Sequence, residues 1–541
     1  MPRVLICDAL ESAGIDLLTA AGIEVDRRPG LKGEELKSAL RASDAAIVRS
    51  QTKITADLLA EPGLLRAIAR AGVGVDNIDV EAATRKGIVV MNTPGGNTIS
   101  AAEHTIALMF ALSRHVPAAD ATMKRGGWDR NKYVGTQLTG KTLGLVGLGR
   151  IGREVAQRAI GLGMTVLAFD PFVAPAKVAE LGYGAAANIE AMLPAVDYLT
   201  VHIPLTDETR GLFGSAQFKK MKPTARVLNV SRGGIYDELA LAEALSASTI
   251  AGAGLDVFEI EPLPADHPLR TAPNTVLTPH LGASTLEAQE NVAVEAAQLL
   301  ADFLLRGEVA SAVNMATVDR TELESLRHFV EVARRLGILQ AQMAQGAIRK
   351  ASLSYRGDLA GKKTKLLTAA FTVGLLESRL SQGVNLVNAE VIARERGLEI
   401  IESSNPKKGD FASLIQTDVE SEQKSFTASA TLFGDQYARL VQFGPYRLES
   451  YLDGTLFLFA HRDQPGLIGF VGTIFGTHAV NIAAMAVGRI GSEPGGESIG
   501  VLNLDSEPPE EAIAAVRAHP AVTSAAVVKL PAAGEWPSWL R

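Results

Sequence analysis

The segment Gly147-Leu148-Gly149-Arg150-Ile151-Gly152 constrains this 541-residue chain more than any other, because it directly follows the apolar run Leu143-Gly144-Leu145-Val146. A G-x-G-x-x-G set between a strand and a helix has a distinct use for each glycine. The first takes a tight turn, the second lets phosphates approach the backbone, and the third lets the helix pack closely on the strand. The helix opening near Arg150 then turns its free amides and positive dipole end toward the same point. Three glycines alone also mark a plain turn. Here, however, Asp170 closes the next apolar segment, Ala168-Phe169-Asp170. A carboxylate in that place accepts from ribose hydroxyls and repels a 2′-phosphate. Gly147, Gly149, Arg150, Ile151, Gly152 and Asp170 are therefore expected to form a dinucleotide site that prefers NAD to NADP.

The flanking sequence supplies the rest of such a sheet. Strands are predicted at Thr142–Val146, Thr165–Phe169, Tyr198–Val201, Arg226–Asn229, Ala251–Leu255 and Thr275–Leu277. Six strands with intervening helices make a complete doubly wound sheet. Before them, Arg3–Cys7, Ala45–Val48, Ala67–Arg70 and Val89–Met91 read as strands, with helices at Ser12–Ala21 and Gly33–Ala42. That alternation implies a second parallel sheet. A long helix is predicted from Ser100, with the serine as its cap.

Beyond residue 305 the texture changes. The stretch Thr321–Ala347 is helical and amphipathic, and Ala351–Arg356 and Leu366–Gly374 read as strand and helix. Asn405–Gly409 is a polar turn, and Ser425–Phe433 alternates like a half-exposed strand. The last segment is predicted as strand Thr455–His461, helix Gly466–Thr477, strands Val480–Arg489 and Ser498–Leu504, helix Pro509–Ala518 and strand Ala525–Lys529. That β-α-β-β-α-β order is ferredoxin-like.

Three short segments just past the ends of predicted strands carry chemistry: Ser231-Arg232-Gly233-Gly234, Asp256 to Glu261-Pro262, and Thr278-Pro279-His280-Leu281-Gly282. Open α/β sheets bind ligands at that edge. Oxidising a secondary alcohol needs a base for the hydroxyl proton while hydride leaves for the nicotinamide. A histidine performs that transfer in both directions near neutral pH. A carboxylate on its far nitrogen fixes the tautomer, and an arginine holds a substrate carboxylate and polarises the reacting oxygen. His280 is thus assigned as acid/base, Glu261 as its partner and Arg232 as clamp and electrophile. The remaining histidines, among them His104, His115, His202, His267, His328 and His519, are read as structural.

These motifs resemble the D-2-hydroxyacid dehydrogenase family. Within it, Ala71-Gly72-Val73-Gly74-Val75-Asp76-Asn77-Ile78-Asp79 and the two C-terminal modules resemble the long-form D-3-phosphoglycerate dehydrogenases. The resemblance implies an α/β chain with two doubly wound, Rossmann-like domains. A discontinuous substrate domain (1–97 and 285–304) would enclose an NAD domain (98–284). An α+β intervening domain (305–452) and a ferredoxin-like ACT domain (453–530) would follow. It also implies that Thr206, Val230, Ser231, Asp256 and Gly282 join the NAD site. Val73, Gly74, Asn97, Ser50 and Arg49 would meet the substrate, Arg49 at its phosphate. Arg130 and Lys132 would reach that phosphate from a neighbouring subunit of a homotetramer, although the charge of their arm equally suits solubility. His461, Asp463 and Asn481 would bind an effector, L-serine by family precedent. Asp463 stands where many serine-responsive members carry asparagine. Related acids, such as glyoxylate, hydroxypyruvate and 2-oxoglutarate, are alternative substrates, since the three catalytic residues handle only the shared 2-hydroxyacid unit. A non-catalytic NAD sensor is the alternative of another class.

Composition narrows the setting. A net charge of −7 and a pI near 5.8 argue against a nucleic-acid partner. The single cysteine, Cys7, excludes an intramolecular disulfide and a cysteine-rich metal cluster, and no metal is expected. Asp8 and Glu11 interrupt any signal-peptide core, and no run reaches bilayer-spanning length. The expected compartment is the cytoplasm.

Overall fold

The computed structural model describes residues 1–316, 320–380, 383–434, 436–491 and 494–535. Near-continuous apolar runs such as Ala45–Val48 and Tyr198–Val201 are buried along their whole length. That is the pattern of strands covered on both faces by helices. The first sheet contains β1 (Arg3–Ile6), β2 (Glu24–Arg27), β3 (Ala45–Val48), β4 (Ala67–Arg70) and β5 (Val89–Asn92), in the order β2-β1-β3-β4-β5. All neighbours are parallel. Sequence patterning misses β2, whose residues Glu-Val-Asp-Arg carry the charge of an edge strand.

The second sheet contains β6 (Thr142–Val146), β7 (Thr165–Phe169), β8 (Gly184–Ala185), β9 (Tyr198–Val201), β10 (Arg226–Asn229), β11 (Gly252–Leu255) and β12 (Thr275–Leu277). Their order is β12-β11-β10-β9-β6-β7-β8, again wholly parallel. The sheet has a seventh strand beyond the six expected. Two residues of β8 are too few for any periodic signal. The strand order reverses between β6 and β9, which opens a crevice at their carboxyl ends.

Helix Leu286–Arg306, capped by Thr285, returns to the first sheet. It packs so closely that a Cβ on Gly14 would lie 2.6 Å from the carbonyl oxygen of Ala293. The long helix before β6 corrects one expectation. It spans Thr98–Ser113 with Asn97 at the cap position, and Ser100 lies inside it with a buried hydroxyl that has no partner among the described residues. The turn comes early because Gly96 abuts helix 286–306, where an added Cβ would meet Val292 at 2.6 Å.

The third sheet runs β14-β13-β15-β16-β17-β18. Its strands are β13 (Ile348–Gly357), β14 (Glu399–Asn405), β15 (Ser413–Ser421), β16 (Ser425–Phe433), β17 (Tyr437–Phe443) and β18 (Tyr446–Tyr451). Strand β16 is mostly buried rather than half-exposed. Helices Arg320–Met343 and Lys365–Glu377 cross tightly on one face, where a Cβ on Gly374 would meet the Arg334 carbonyl at 2.0 Å. The fourth sheet has the order β20-β21-β19-β22, from β19 (Thr455–Arg462), β20 (Ile482–Arg489), β21 (Glu497–Leu504) and β22 (Val522–Lys529). With helices Leu467–Thr477 and Glu510–Arg517 it forms the expected β-α-β-β-α-β unit.

The third and fourth sheets share one core, in which Leu353 and Tyr355 join Leu456, Val501 and Val528. Buried Arg335 ties them further: it pairs with Glu331 and donates to the carbonyls of Leu452 and Ala532 at 2.9 and 2.8 Å. Among the described residues, no helix is long and apolar enough to cross a membrane. Cys7 is buried, and burial, followed by the charges of Asp8 and Asp26, pushes its thiol up to about 12.

Candidate active site

The glycine loop after β6 has the geometry a dinucleotide requires. Gly147 turns at a φ of +97° with the carbonyl of His202 2.5 Å from where a Cβ would stand. Gly152 lies against the same turn, so that its Cβ would be 2.0 Å from the Gly147 carbonyl. Gly149 faces open space and precedes helix Arg150–Gly161, whose first amides receive no side-chain cap. An uncapped helix end facing open space suits a pyrophosphate. Asp170 accepts from the Leu148 amide at 2.8 Å and the Phe172 amide at 2.9 Å, which fixes the carboxylate beside the loop. Ile151 lies half-buried behind this loop and packs against the core of the second sheet. Across the crevice, Thr206 donates to Glu208 at 2.7 Å, in the turn that follows β9.

The loops after β10, β11 and β12 meet beside this crevice. His280, at a left-handed φ of 56°, places Nδ1 2.7 Å from Oε2 of Glu261. Glu261 in turn accepts from the Phe258 amide at 3.0 Å. Burial pushes the Glu261 carboxyl up, but the bonds from His280 and Phe258 outweigh it and hold the group below the usual carboxylate range. Behind the pair lies wholly buried Asp256, which takes bonds from Thr278 (2.6 Å), the Leu281 amide (2.7 Å), the Gly282 amide (2.8 Å) and His104 (3.2 Å). Its carboxyl also lies below its usual range, because burial is outweighed by His104, Thr278 and Leu281. Asp256 therefore holds the 278–282 loop in place. Buried Val230 packs against Gly282, and Ser231 donates its amide and hydroxyl to Asn229 at 3.0 Å.

Arg232 reaches across to the first sheet. Its Nε donates to Asp76 at 3.0 Å, and its Nη2 would be 1.5 Å from a Cβ on Gly74. Only a glycine at 74 leaves room for the guanidinium where it stands. The Val73 carbonyl accepts from Asn92 at 2.5 Å, and Asn97, at the cap position of helix Thr98–Ser113, has an Oδ1 that is buried without a partner among the described residues. Arg49 follows β3, with its amide bonded to Asp8 and its guanidinium to the Ala9 carbonyl at 3.2 Å, beside exposed Ser50.

Sequence reasoning missed Arg70. It ends β4, in register with Val48 of β3, so it stands at the same carboxyl edge as Arg49. Its Nε is buried without a partner among the described residues. Burial, then the charge of Arg232 and, less strongly, Arg49, pushes its guanidinium down to about 10. An arginine just past β3 and another at the end of β4 were the available signal.

Comparison with known proteins fits this arrangement. Residues 106–282 match the model for "D-isomer specific 2-hydroxyacid dehydrogenase, NAD binding domain". Residues 325–444 match "D-3-phosphoglycerate dehydrogenase intervening domain", and residues 454–521 match "ACT domain". The D-3-phosphoglycerate dehydrogenase of Archaeoglobus fulgidus is 42% identical over 98% of this chain and 100% of its own length. The chain belongs to the D-3-phosphoglycerate dehydrogenase family. The Bacillus subtilis enzyme of that name is 39% identical over 98% of this chain and all of its own. The crystal structure of the TT0316 protein of Thermus thermophilus covers 57% of this chain and 99% of its own, with 37% identity and a TM-score of 0.53. The cofactor domain is thus NAD-binding, and the third and fourth sheets carry the intervening and ACT modules.

The other residues singled out from sequence are not brought to this cleft. Arg130 and Lys132 lie on the exposed turn Arg130–Tyr133. In the ACT module, His461 is buried against Phe459 with its rings 5.1 Å apart. Asp463 pairs with Arg489 at 2.8 Å, and Asn481 donates to Asp505 at 2.6 Å.

Proposed function

We propose that this chain oxidises D-3-phosphoglycerate to 3-phosphohydroxypyruvate with NAD, the opening step of a phosphorylated route to L-serine. The observation that carries the reading is the meeting of two sets of groups in one cleft. The His280–Glu261 pair supplies proton transfer, and Arg49, Arg70 and Arg232 gather the positive charge that a substrate bearing both a carboxylate and a phosphate needs.

The geometry supports a task for each residue. Ionised Glu261 keeps the proton of neutral His280 on Nδ1, so the lone pair lies on Nε2 and is available for the substrate hydroxyl proton. Glu261 then stabilises the imidazolium that forms. Arg232 exchanges the exposed carboxylate of Asp76 for the carboxylate of the substrate and polarises the oxygen at the reacting carbon. The Val73 and Gly74 backbone lines the same pocket, while Arg49 and Arg70 hold the phosphate end. The glycine loop, helix 150–161 and Asp170 would hold NAD, with Thr206, Val230, Ser231 and Gly282 on the facing side. Bound NAD supplies the hydride acceptor.

Assembly and regulation extend this reading. Trp128 and Val134 are each 77% exposed, and Val116 and Met123 are also exposed, on and beside the arm that bears Arg130 and Lys132. So much outward apolar surface supports a homo-oligomer, a tetramer by family precedent, in which the arm crosses to a neighbour's cleft. Serine would bind at paired ACT modules, through the amides opening helix 467–477 and through Asp463 and Asn481. Because the last two modules share a core, a point variant is the sound test. Asn481→Ala should raise the serine concentration for half-inhibition without lowering uninhibited turnover.

The substrate reading is tested by the rate of NADH formation with 3-phosphoglycerate beside D-glycerate, D-lactate and 2-hydroxyglutarate. The phosphorylated acid should have the highest kcat/KM. A higher value for an unphosphorylated acid refutes the assignment.

A further inference from the structure

We propose that Glu238 is a positioning residue, which sets Glu261, and through it His280, within reach of a substrate held by Arg232. The inference rests on the proton-transfer roles proposed above. Glu238 opens helix Glu238–Ser246 and is 6% exposed. It takes no part in capping that helix, since Asp237 accepts from the amides of Leu239 and Ala240 at 3.1 and 3.0 Å. A carboxylate buried this deeply is costly unless fixed donors meet it. Its Oε1 accepts from the Glu259 amide at 2.6 Å, and the Gly234 amide also favours its ionised form. Burial pushes the carboxyl above the usual carboxylate range, the charges of Glu259 and Glu261 add to it, and the two amides offset this only in part. Oε2 faces Nε2 of His267 at 3.4 Å, and Nδ1 of that ring accepts from the Leu269 amide at 3.3 Å. The ring proton therefore lies on Nε2, toward Glu238.

The two amides belong to the two loops that the reaction must bring together. Gly234 closes the segment Ser231-Arg232-Gly233-Gly234, and Glu259 lies two residues before Glu261. The loops touch at Gly233, where a Cβ would lie 1.9 Å from the carbonyl carbon of Phe258. The Arg232 loop is also fixed from beneath, because Asn229 accepts from the Ser231 amide and donates to the Arg232 carbonyl. The Glu261 loop lacks such support. Among the described residues, the backbone of 259–262 makes one hydrogen bond beyond its own loop, from the Glu259 amide to Glu238. Ile260 is 62% exposed, and Glu259 turns outward to Arg210 on the rim of an open hollow of about 460 Å³.

Packing on the outer side thus cannot hold this loop, and the charge-assisted bond to Glu238 is what ties it down. Only two peptide units separate Glu259 from Glu261, so a displaced Glu259 amide carries with it the 2.7 Å contact between Glu261 and Nδ1 of His280. The task requires an acceptor at a fixed reach rather than a charge, and two substitutions separate these. Glu238→Asp keeps the charge but draws the acceptor back by one methylene. Glu238→Gln loses the charge but keeps an oxygen at the Glu259 amide.

Single-turnover NADH formation from 3-phosphoglycerate by the full-length protein tests the proposal. An unfolded fraction lowers the amplitude of that phase, whereas a displaced Glu261 lowers its rate constant. Glu238→Asp should lower the rate constant roughly 10- to 100-fold, as a displacement approaching about 1 Å would, with NAD affinity unchanged. Glu238→Gln should stay within about threefold of wild type. In a Glu261→Gln background the loss from Glu238→Asp should shrink to less than about threefold, because a residue that acts through Glu261 then has nothing to position. Glu238→Ala, which removes the acceptor outright, carries the same expectations if the shorter acid does not fold. Three results each overturn the proposal: an unchanged rate constant in Glu238→Asp or its alanine substitute, an equal loss in Glu238→Gln, or the full loss repeated in the Glu261→Gln background. Each is a ratio to a measurable wild-type rate, and absence of that rate would instead refute the dehydrogenase reading itself.

Discussion

Gly74→Ala isolates the geometry on which the catalytic reading depends. A Cβ at this position would stand 1.5 Å from Nη2 of Arg232 and 2.8 Å from Oδ2 of Asp76. Carbon and nitrogen need more than about 3 Å, so the guanidinium must retreat by about 1.5 Å or more. The obstructing atom is the far end of a flexible side chain and Gly74 needs no left-handed backbone, so the fold should accommodate the methyl. Catalysis should not. A displacement of about 1 Å in a positioning group costs on the order of 10²-fold. The expected result is a fall of that size in kcat/KM for 3-phosphoglycerate, measured by NADH formation. The midpoint of thermal unfolding should stay within a few degrees of wild type. Retention of kcat/KM within about threefold would falsify the placement of Arg232 as substrate clamp.

Asp256→Asn should destabilise the protein by about 1–3 kcal/mol, because its amide nitrogen must face the amide of either Leu281 or Gly282, which bond to different oxygens of the carboxylate; chemical denaturation reads this directly. Since the Asp256 carboxyl lies below its unfolded value, its contribution is fully present above that unfolded value and is lost as pH falls through the folded one. The variant should therefore show a shallower acid-side loss of stability. Asp170→Ala should narrow the preference for NAD over NADP by weakening NAD, and equal efficiency with both cofactors in the wild type would show that another residue selects. Arg70→Gln, like Arg49→Ala, should raise the KM for 3-phosphoglycerate far more than that for D-glycerate; equal effects on both substrates would make the two arginines structural.

Much of this was legible because the relevant signals are local. The strand, glycine turn and helix at 142–161 lie contiguous in sequence, and each glycine's use depends on neighbours a few residues away. The 278–282 and 256–262 segments likewise follow strands whose apolar runs are unmistakable. What escaped depends on contacts between distant segments. Ser100 looks like a cap by type, yet packing of Gly96 on helix 286–306 starts the helix earlier. Arg70 reads as the polar end of a strand until parallel pairing sets it beside the Arg49 loop. The merging of the last two modules into one core is invisible in sequence, because Leu353 and Val501 are nearly 150 residues apart.

The central claim is that His280 moves the proton while other groups bind. The most direct measurement compares wild type with His280→Ala in single-turnover NADH formation, alongside NAD affinity by fluorescence titration. Turnover should fall by a factor on the order of 10² to 10⁴, the usual contribution of a general acid/base, with NAD affinity little changed. Retention of more than about a tenth of the wild-type rate, well outside that range, would contradict the account.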